Sequence, residues 1–211
     1  MLKAGFYLFL LLLFSQDGKA ALAEEVSRAV VAAVQTQPSQ VVNQFTPGVI
    51  RVKLEEPSYY EGQLLLPGKT IRKDPLVKNI GNRECYAFLA VDIPMRVIRL
   101  AGDPFGAAGQ ERELVTFTPD EKWSFILNEI ITDPEEDSRY NRYVYGYSDI
   151  LRPAEETVPL FTYMTAAEYL EGDLEDGAGI NIPIRAMAVQ KEGLGTLEEA
   201  WQVCRITGSG Q

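Results

Sequence analysis

The stretch Cys85–Ile93 limits the architecture of this chain more than any other. In an extended backbone Tyr86, Phe88, Ala90 and Asp92 face one way, while Cys85, Ala87, Leu89, Val91 and Ile93 face the other, so at least one face is core. Met95–Leu100 extends the strand past Pro94. Further strand candidates are Val49–Leu54, Ile71–Val77, Leu114–Phe117, Trp123–Ile131, Tyr140–Ile150 and Ile180–Val189. Turn signals separate them at Pro47-Gly48, Pro57, Gly62, Pro67-Gly68 and Asn79–Asn82, in the loop Gly102–Gly109, and at the acidic turn Asp133–Ser138. Trp123–Ile131 and Tyr140–Ile150 read as a hairpin, with Tyr143, Tyr145 and Tyr147 on one face. In the last strand Ile180, Ile182, Ile184, Ala186 and Ala188 point inward.

Two capping boxes, Thr165–Glu168 and Thr196–Glu199, predict two short helices, because the threonine oxygen accepts a backbone amide while the glutamate reaches back. Strands outnumber helices and no βαβ rhythm occurs. The expected fold is all-β: an antiparallel, jelly-roll-like β-sandwich with two short helices, spanning residues 46–206 and followed by a polar tail at 207–211. With 46% hydrophobic residues in 211, the chain has ample material for one core.

Charge and chemistry then narrow the function. Thirty acidic against twenty basic residues give a net charge of −10, which repels nucleic acid and anionic lipid. There is no histidine, so imidazole-centred triads and the usual catalytic zinc ligand sets are excluded, and two cysteines cannot build a structural zinc site. Neither an Asp-Thr-Gly nor an Asp-Ser-Gly triplet occurs, and Gly146–Ile150 lacks the second glycine of a nucleophile elbow. No catalytic residue and no cofactor is expected.

The amino terminus has a basic start, an apolar run Ala4–Phe14 and a small-residue pattern at Ala21–Ala23, which reads as a secretory signal over residues 1–23. Val31–Ala33 offers a second cleavage site, as late as residue 33. A short apolar run of this kind also suits a buried core helix. Residues 24–45 form an arm that mixes glutamines with Val30, Val34, Val41, Val42 and Phe45, a composition suited to a strand donated to a neighbouring copy or packed on its own. No second apolar stretch suggests a membrane anchor.

Three weaker signals remain. Cys85 and Cys204 would pair in an oxidising space if their Cα atoms came within about 7 Å, and otherwise serve as two buried hydrophobes. The carboxylates Asp133, Glu135, Glu136 and Asp137, or Asp173, Glu175 and Asp176, could hold calcium, although neither set has EF-hand spacing; the alternative is a solvated acidic turn. Tyr140, Tyr143, Tyr145 and Tyr147, with Tyr59 and Tyr60, fit either a sugar-stacking platform or half of a sandwich core.

Several segments, in order, resemble the camelysin and TasA family of secreted bacterial proteins. They are Asn43–Gly48 leading into Val49–Glu55; Pro67–Ile71 with Lys73, Pro75, Val77, Asn79, Gly81 and Tyr86; Leu151–Phe161 with Glu156-Thr157 and Leu160-Phe161; and Ile184–Gln190 followed by Glu199–Trp201. The chain departs from the family pattern in placing Glu24, Glu25 and Arg28 between the apolar signal core and Ala33. The resemblance implies a jelly-roll-like sandwich, an extracellular or cell-surface location, a dedicated type of signal peptide and assembly into biofilm matrix fibres. The expected partners are therefore further copies of the chain or other matrix components. A carbohydrate- or ligand-binding surface module is the alternative, and a camelysin-type peptidase, the label carried by one member, a third.

Overall fold

The computed structural model describes residues 48–60, 62–102, 109–133, 138–174 and 180–208, all within the unit Pro47–Gln211. Ten strands and one helix make up this part: β1 (Val52–Glu55), β2 (Thr70–Arg72), β3 (Leu76–Asn79), β4 (Cys85–Ile98), β5 (Gln110–Glu113), β6 (Val115–Phe117), β7 (Trp123–Asp133), β8 (Ser138–Tyr147), β9 (Tyr163–Ala166), β10 (Ile184–Gln190) and α1 (Leu197–Gly208). Every pairing is antiparallel, and the all-β, sandwich-like class expected from the alternation is the one found.

The main sheet runs β10-β4-β8-β7, with β5 added to β4 beyond the end of β10; smaller sheets are β2-β9-β6 and β1-β3. β4 is its spine, and its two faces do different jobs. The odd-numbered Cys85, Ala87, Leu89, Val91 and Ile93 join Tyr145, Tyr147, Leu160, Phe161 and Met164 in the core between the sheets. The even-numbered Tyr86, Phe88 and Ala90 meet Trp201 and Cys204 of α1 on the outer face, where the Phe88 and Trp201 rings lie 5.4 Å apart.

Pro94 sits inside β4 because the strand changes neighbour there. Asp92 N–H donates to Pro183 O at 2.9 Å on the β10 side, whereas Met95 already pairs with Glu113 of β5. The missing proline N–H thus falls where one partner strand has ended and the next begins.

Helix α1 starts as expected. Thr196 Oγ1 accepts Glu199 N–H at 3.2 Å, and Glu199 Oε2 accepts the N–H groups of Gly195 (2.8 Å) and Thr196 (3.3 Å). Gly146 of β8 lets the helix settle, since a Cβ there would meet the Leu197 side chain at 2.9 Å. The other expected helix does not form: Thr165 lies in β9, the central strand of a three-stranded sheet, paired with Thr70 and Thr116 on its two sides. Cross-strand hydrogen bonds take the backbone that the local capping signal would have turned into a helix. Ile71–Val77, read as one strand, is split between β2 and β3 by a buried corner in which Lys73 N–H donates to Thr162 O and Pro75 O accepts Leu160 N–H.

Candidate association surface

β7 forms one margin of the main sheet. Its first residue is pinned: Trp123 Nε1–H donates to Val158 O at 3.1 Å, and its ring lies 5.2 Å from that of Tyr147. A bulge between Phe125 and Leu127 shifts the register, after which Leu127–Asp133 pairs regularly with Val144–Ser138. On the inner face this strand leaves Phe125 55% and Ile130 48% exposed. Among the described residues it is hydrogen-bonded on one side only, and it contains neither proline nor lysine, the usual devices for blunting an edge.

The other margins are covered, short or charged, although β10 too is hydrogen-bonded on one side only among the described residues. At β2 the Gln63 side chain imitates a strand: Oε1 accepts Arg72 N–H at 3.1 Å and Nε2–H donates to Arg72 O at 3.0 Å. β1 comes close to β10 without pairing with it, β6 is three residues long, and β5 reads Gln-Glu-Arg-Glu, a charged edge.

Two polar networks cross the main sheet near β7. On the outer face Asp92, 3% exposed, accepts Arg142 Nε–H at 2.8 Å and Nη2–H at 3.1 Å, and Arg185 Nη2–H at 3.0 Å; Glu129 lies 3.7 Å from Arg142. One network therefore spans β10, β4, β8 and β7, and the hydrogen bonds to Asp92 push the Arg142 guanidinium above its ordinary pKa. On the inner face Glu113 Oε1 accepts Tyr143 O–H at 2.6 Å and an N–H of Asn141, which also donates to Tyr143 Oη at 3.0 Å and accepts from Asn128 of β7 at 3.4 Å. Burial first, then the bond to Glu113, pushes the Tyr143 phenol well above its usual range and keeps it a donor.

A cavity of about 410 Å³ is lined by Tyr147, Asp149, Ile150, Leu151, Arg152, Glu155 and Glu156. Its carboxylates are matched to cations: Asp149 to Lys122 at 2.9 Å, Glu155 to Arg152 at 3.4 Å, and Glu156 to Lys78. This is an ion-paired rim without a nucleophile and base in contact.

The residues singled out in the sequence are placed as follows. Cys85 and Cys204 are buried thiols, not a disulfide, because Cys85 points into the core between the sheets while Cys204 lies on the outer face under α1. Burial pushes both thiols up to about 11. Asp173 is engaged by Arg99, whose N–H donates to Oδ2 at 2.6 Å and whose Nε–H donates to Oδ1 at 2.8 Å, so its carboxyl is held below the usual range and is not a spare cation ligand. Asp133 closes β7 opposite Ser138; Glu135, Glu136, Asp137, Glu175 and Asp176 lie outside the described residues, as do the arm residues Val30, Val34, Val41, Val42 and Phe45. Among the described residues no group of three or more potential metal ligands occurs.

Of the two readings of the tyrosine row, the placement is that of core: Tyr145 and Tyr147 are buried between the sheets, Tyr143 packs edge-on to Phe117, and Tyr140 is also buried. Tyr59 and Tyr60 are exposed elsewhere, Tyr59 beneath the Lys73 ammonium. The β7 margin and the Glu113–Asn141–Tyr143 cluster were missed. The only local signal for the former was an apolar strand without proline or lysine; nothing local brings Glu113 to Tyr143.

Among the described residues no helix is long and apolar enough to cross a membrane. No family model, no curated protein and no solved structure matches the chain.

Proposed function

We propose that this chain is a secreted structural protein of a bacterial matrix or cell surface that works by associating with copies of itself through β-strand addition, not by catalysis. The observation that carries the reading is the long margin at β7, hydrogen-bonded on one side only among the described residues, against a margin at β2 capped by Gln63 and a charged one at β5. An unpaired row of amides and carbonyls recruits another strand, and exposed Phe125 and Ile130 supply apolar contact for it. The ordered resemblance to the camelysin and TasA family supports export by the signal at 1–23 and a strand-donating role for the arm at 24–45.

The chemistry on hand favours association over turnover. The chain has no histidine, its thiols are buried and protonated at neutral pH, and the carboxylates of the cavity are tied to lysines and arginine.

Size exclusion and negative-stain microscopy at rising concentration test the reading. Concentration-dependent assemblies are expected for the wild type, and Phe125→Lys with Ile130→Lys should abolish them. Deleting residues 24–45 and still seeing fibres would remove the arm from the account. Casein hydrolysis sensitive to a chelator would replace association with a peptidase.

A further inference from the structure

We infer that β7 is closed in solution by β7 of a second copy, running antiparallel across a two-fold axis at Ile130. This rests on the reading of β7 as an association edge and names what occupies it.

The register follows from the strand itself. In an antiparallel pair, residues directly opposite share a face, so a symmetric pairing must set inner-face residues against inner-face residues. Leu127–Asp133 is the regular part of β7, with Asn128, Ile130 and Thr132 on the inner face and Leu127, Glu129, Ile131 and Asp133 on the outer. Centring the axis on Glu129 sets that carboxylate against its own copy. Centring it on Ile131 sets Glu129 against Asp133 of the other copy. Centring it on Asn128 leaves only a short overlap before the bulge reverses the faces.

The axis at Ile130 avoids all three faults. It pairs the entire regular stretch, opposing Ile130 to Ile130, Asn128 to Thr132, Glu129 to Ile131 and Leu127 to Asp133. The half-exposed Ile130 side chains cover each other, Asn128 stands opposite a threonine, and no like charges stand directly opposite, Glu129 and its copy being diagonal neighbours. The main sheet then runs without interruption through both copies. An isologous contact of this kind closes on itself and leaves the arm at 24–45 for other contacts.

Long-range charge opposes the pairing, because each copy carries −10. Added salt screens this repulsion, so the dimer should tighten as ionic strength rises, the reverse of an assembly built on ion pairs.

The test is a cysteine at the axis in the full chain. Ile130→Cys places two thiols on opposed residues whose Cα atoms are about 4.5–5.5 Å apart, within disulfide reach. Thr132→Cys is the control, because its own counterpart lies roughly 13 Å away along the strands. With oxidised glutathione, Ile130→Cys should run as a covalent dimer on a non-reducing gel and Thr132→Cys as a monomer. The native thiols, buried on opposite faces of the sheet, stay out of the reaction.

In sedimentation, Ile130→Lys should weaken the wild-type dimer by about tenfold or more. If Ile130→Cys fails to cross-link, or both cysteines cross-link equally, the symmetric pairing is overturned. If in that case Ile130→Lys still dissolves the assemblies, β7 remains an association edge with a different occupant. If Ile130→Lys changes nothing, both readings fall.

Discussion

The two margins of the main sheet are built from similar apolar strands, yet they are finished in opposite ways. β10 is buttressed three times: β1 lies beside it, α1 packs across its outer face, and Arg185 ties it to Asp92 of β4. Among the described residues β7 has its hairpin partner β8, the hydrogen bond from Trp123 to Val158 at its first residue, and the packing of Ile126 and Leu127 against the cluster under α1. Edge strands are a hazard that folds manage by covering, charging or shortening them. In this chain the management is uneven, and among the described residues the long β7 margin, interrupted by its bulge, is the best marker of where the molecule meets something else.

The contrast can be broken most severely at Asp92. Asp92→Ala removes the acceptor shared by Arg142 and Arg185 and should cost about 2–4 kcal/mol in urea unfolding; the figure lies below that for a fully buried pair because Arg185 is half exposed. Association through β7 should survive in whatever fraction stays folded. Next comes Gly81→Ala. A Cβ there would run into Val49 O and Arg51 N, where the chain leads into β1, and the displacement should cost about 1–3 kcal/mol in the same measurement. If the β10 margin depends on β1 for cover, this variant should also acquire a second mode of aggregation in light scattering.

A smaller effect sharpens the comparison. Gln63→Ala removes the side chain that imitates a strand at β2 and should lower stability by about 1 kcal/mol. Its more telling outcome is new self-association that Ile130→Lys does not suppress. Unchanged solution behaviour would mean that Gln63 is not what keeps β2 closed.

The smallest effect concerns pH. With no histidine in the chain, unfolding free energy should change little from pH 5 to 8. Burial raises Tyr143, Tyr145 and Tyr169, and also Cys85 and Cys204. Their contribution is therefore complete below the ordinary values of 9.0 and 10.0 and is lost as pH rises through the folded-state values, so stability should decline in alkaline titration. At the acid end Asp173, held low by Arg99, contributes stability that is present above 3.8 and lost as pH falls through its lower folded value.

Signals confined to neighbouring residues were the legible ones. β4 declared itself because both of its faces carry apolar side chains, and α1 because Gly195, Thr196 and Glu199 complete a capping box within one turn. Thr165–Glu168 carried the same letters and failed, since β2 and β6, distant in sequence, claim Thr165 from both sides. The apolar run of β7 could be read, but its place at the margin is a property of strand order, which no local pattern encodes. The disulfide question was of the same kind: which face of the sheet each sulfur occupies depends on α1 crossing the outer side. Gln63 closing β2 and Glu113 meeting Tyr143 across the inner face likewise join segments far apart in the chain.

The change of neighbour at Pro94 divides β4 into two thermodynamic regimes. Phe88–Val91 is bonded on both sides, by β10 and β8, whereas Val97 and Ile98 hold only to the short β5. Amide protons of the first stretch should exchange with deuterium only when the whole domain opens, and those of the second through local fraying that leaves the rest intact. A single continuous strand would then carry both the slowest- and some of the fastest-exchanging amides of the sheet, with a proline marking the border.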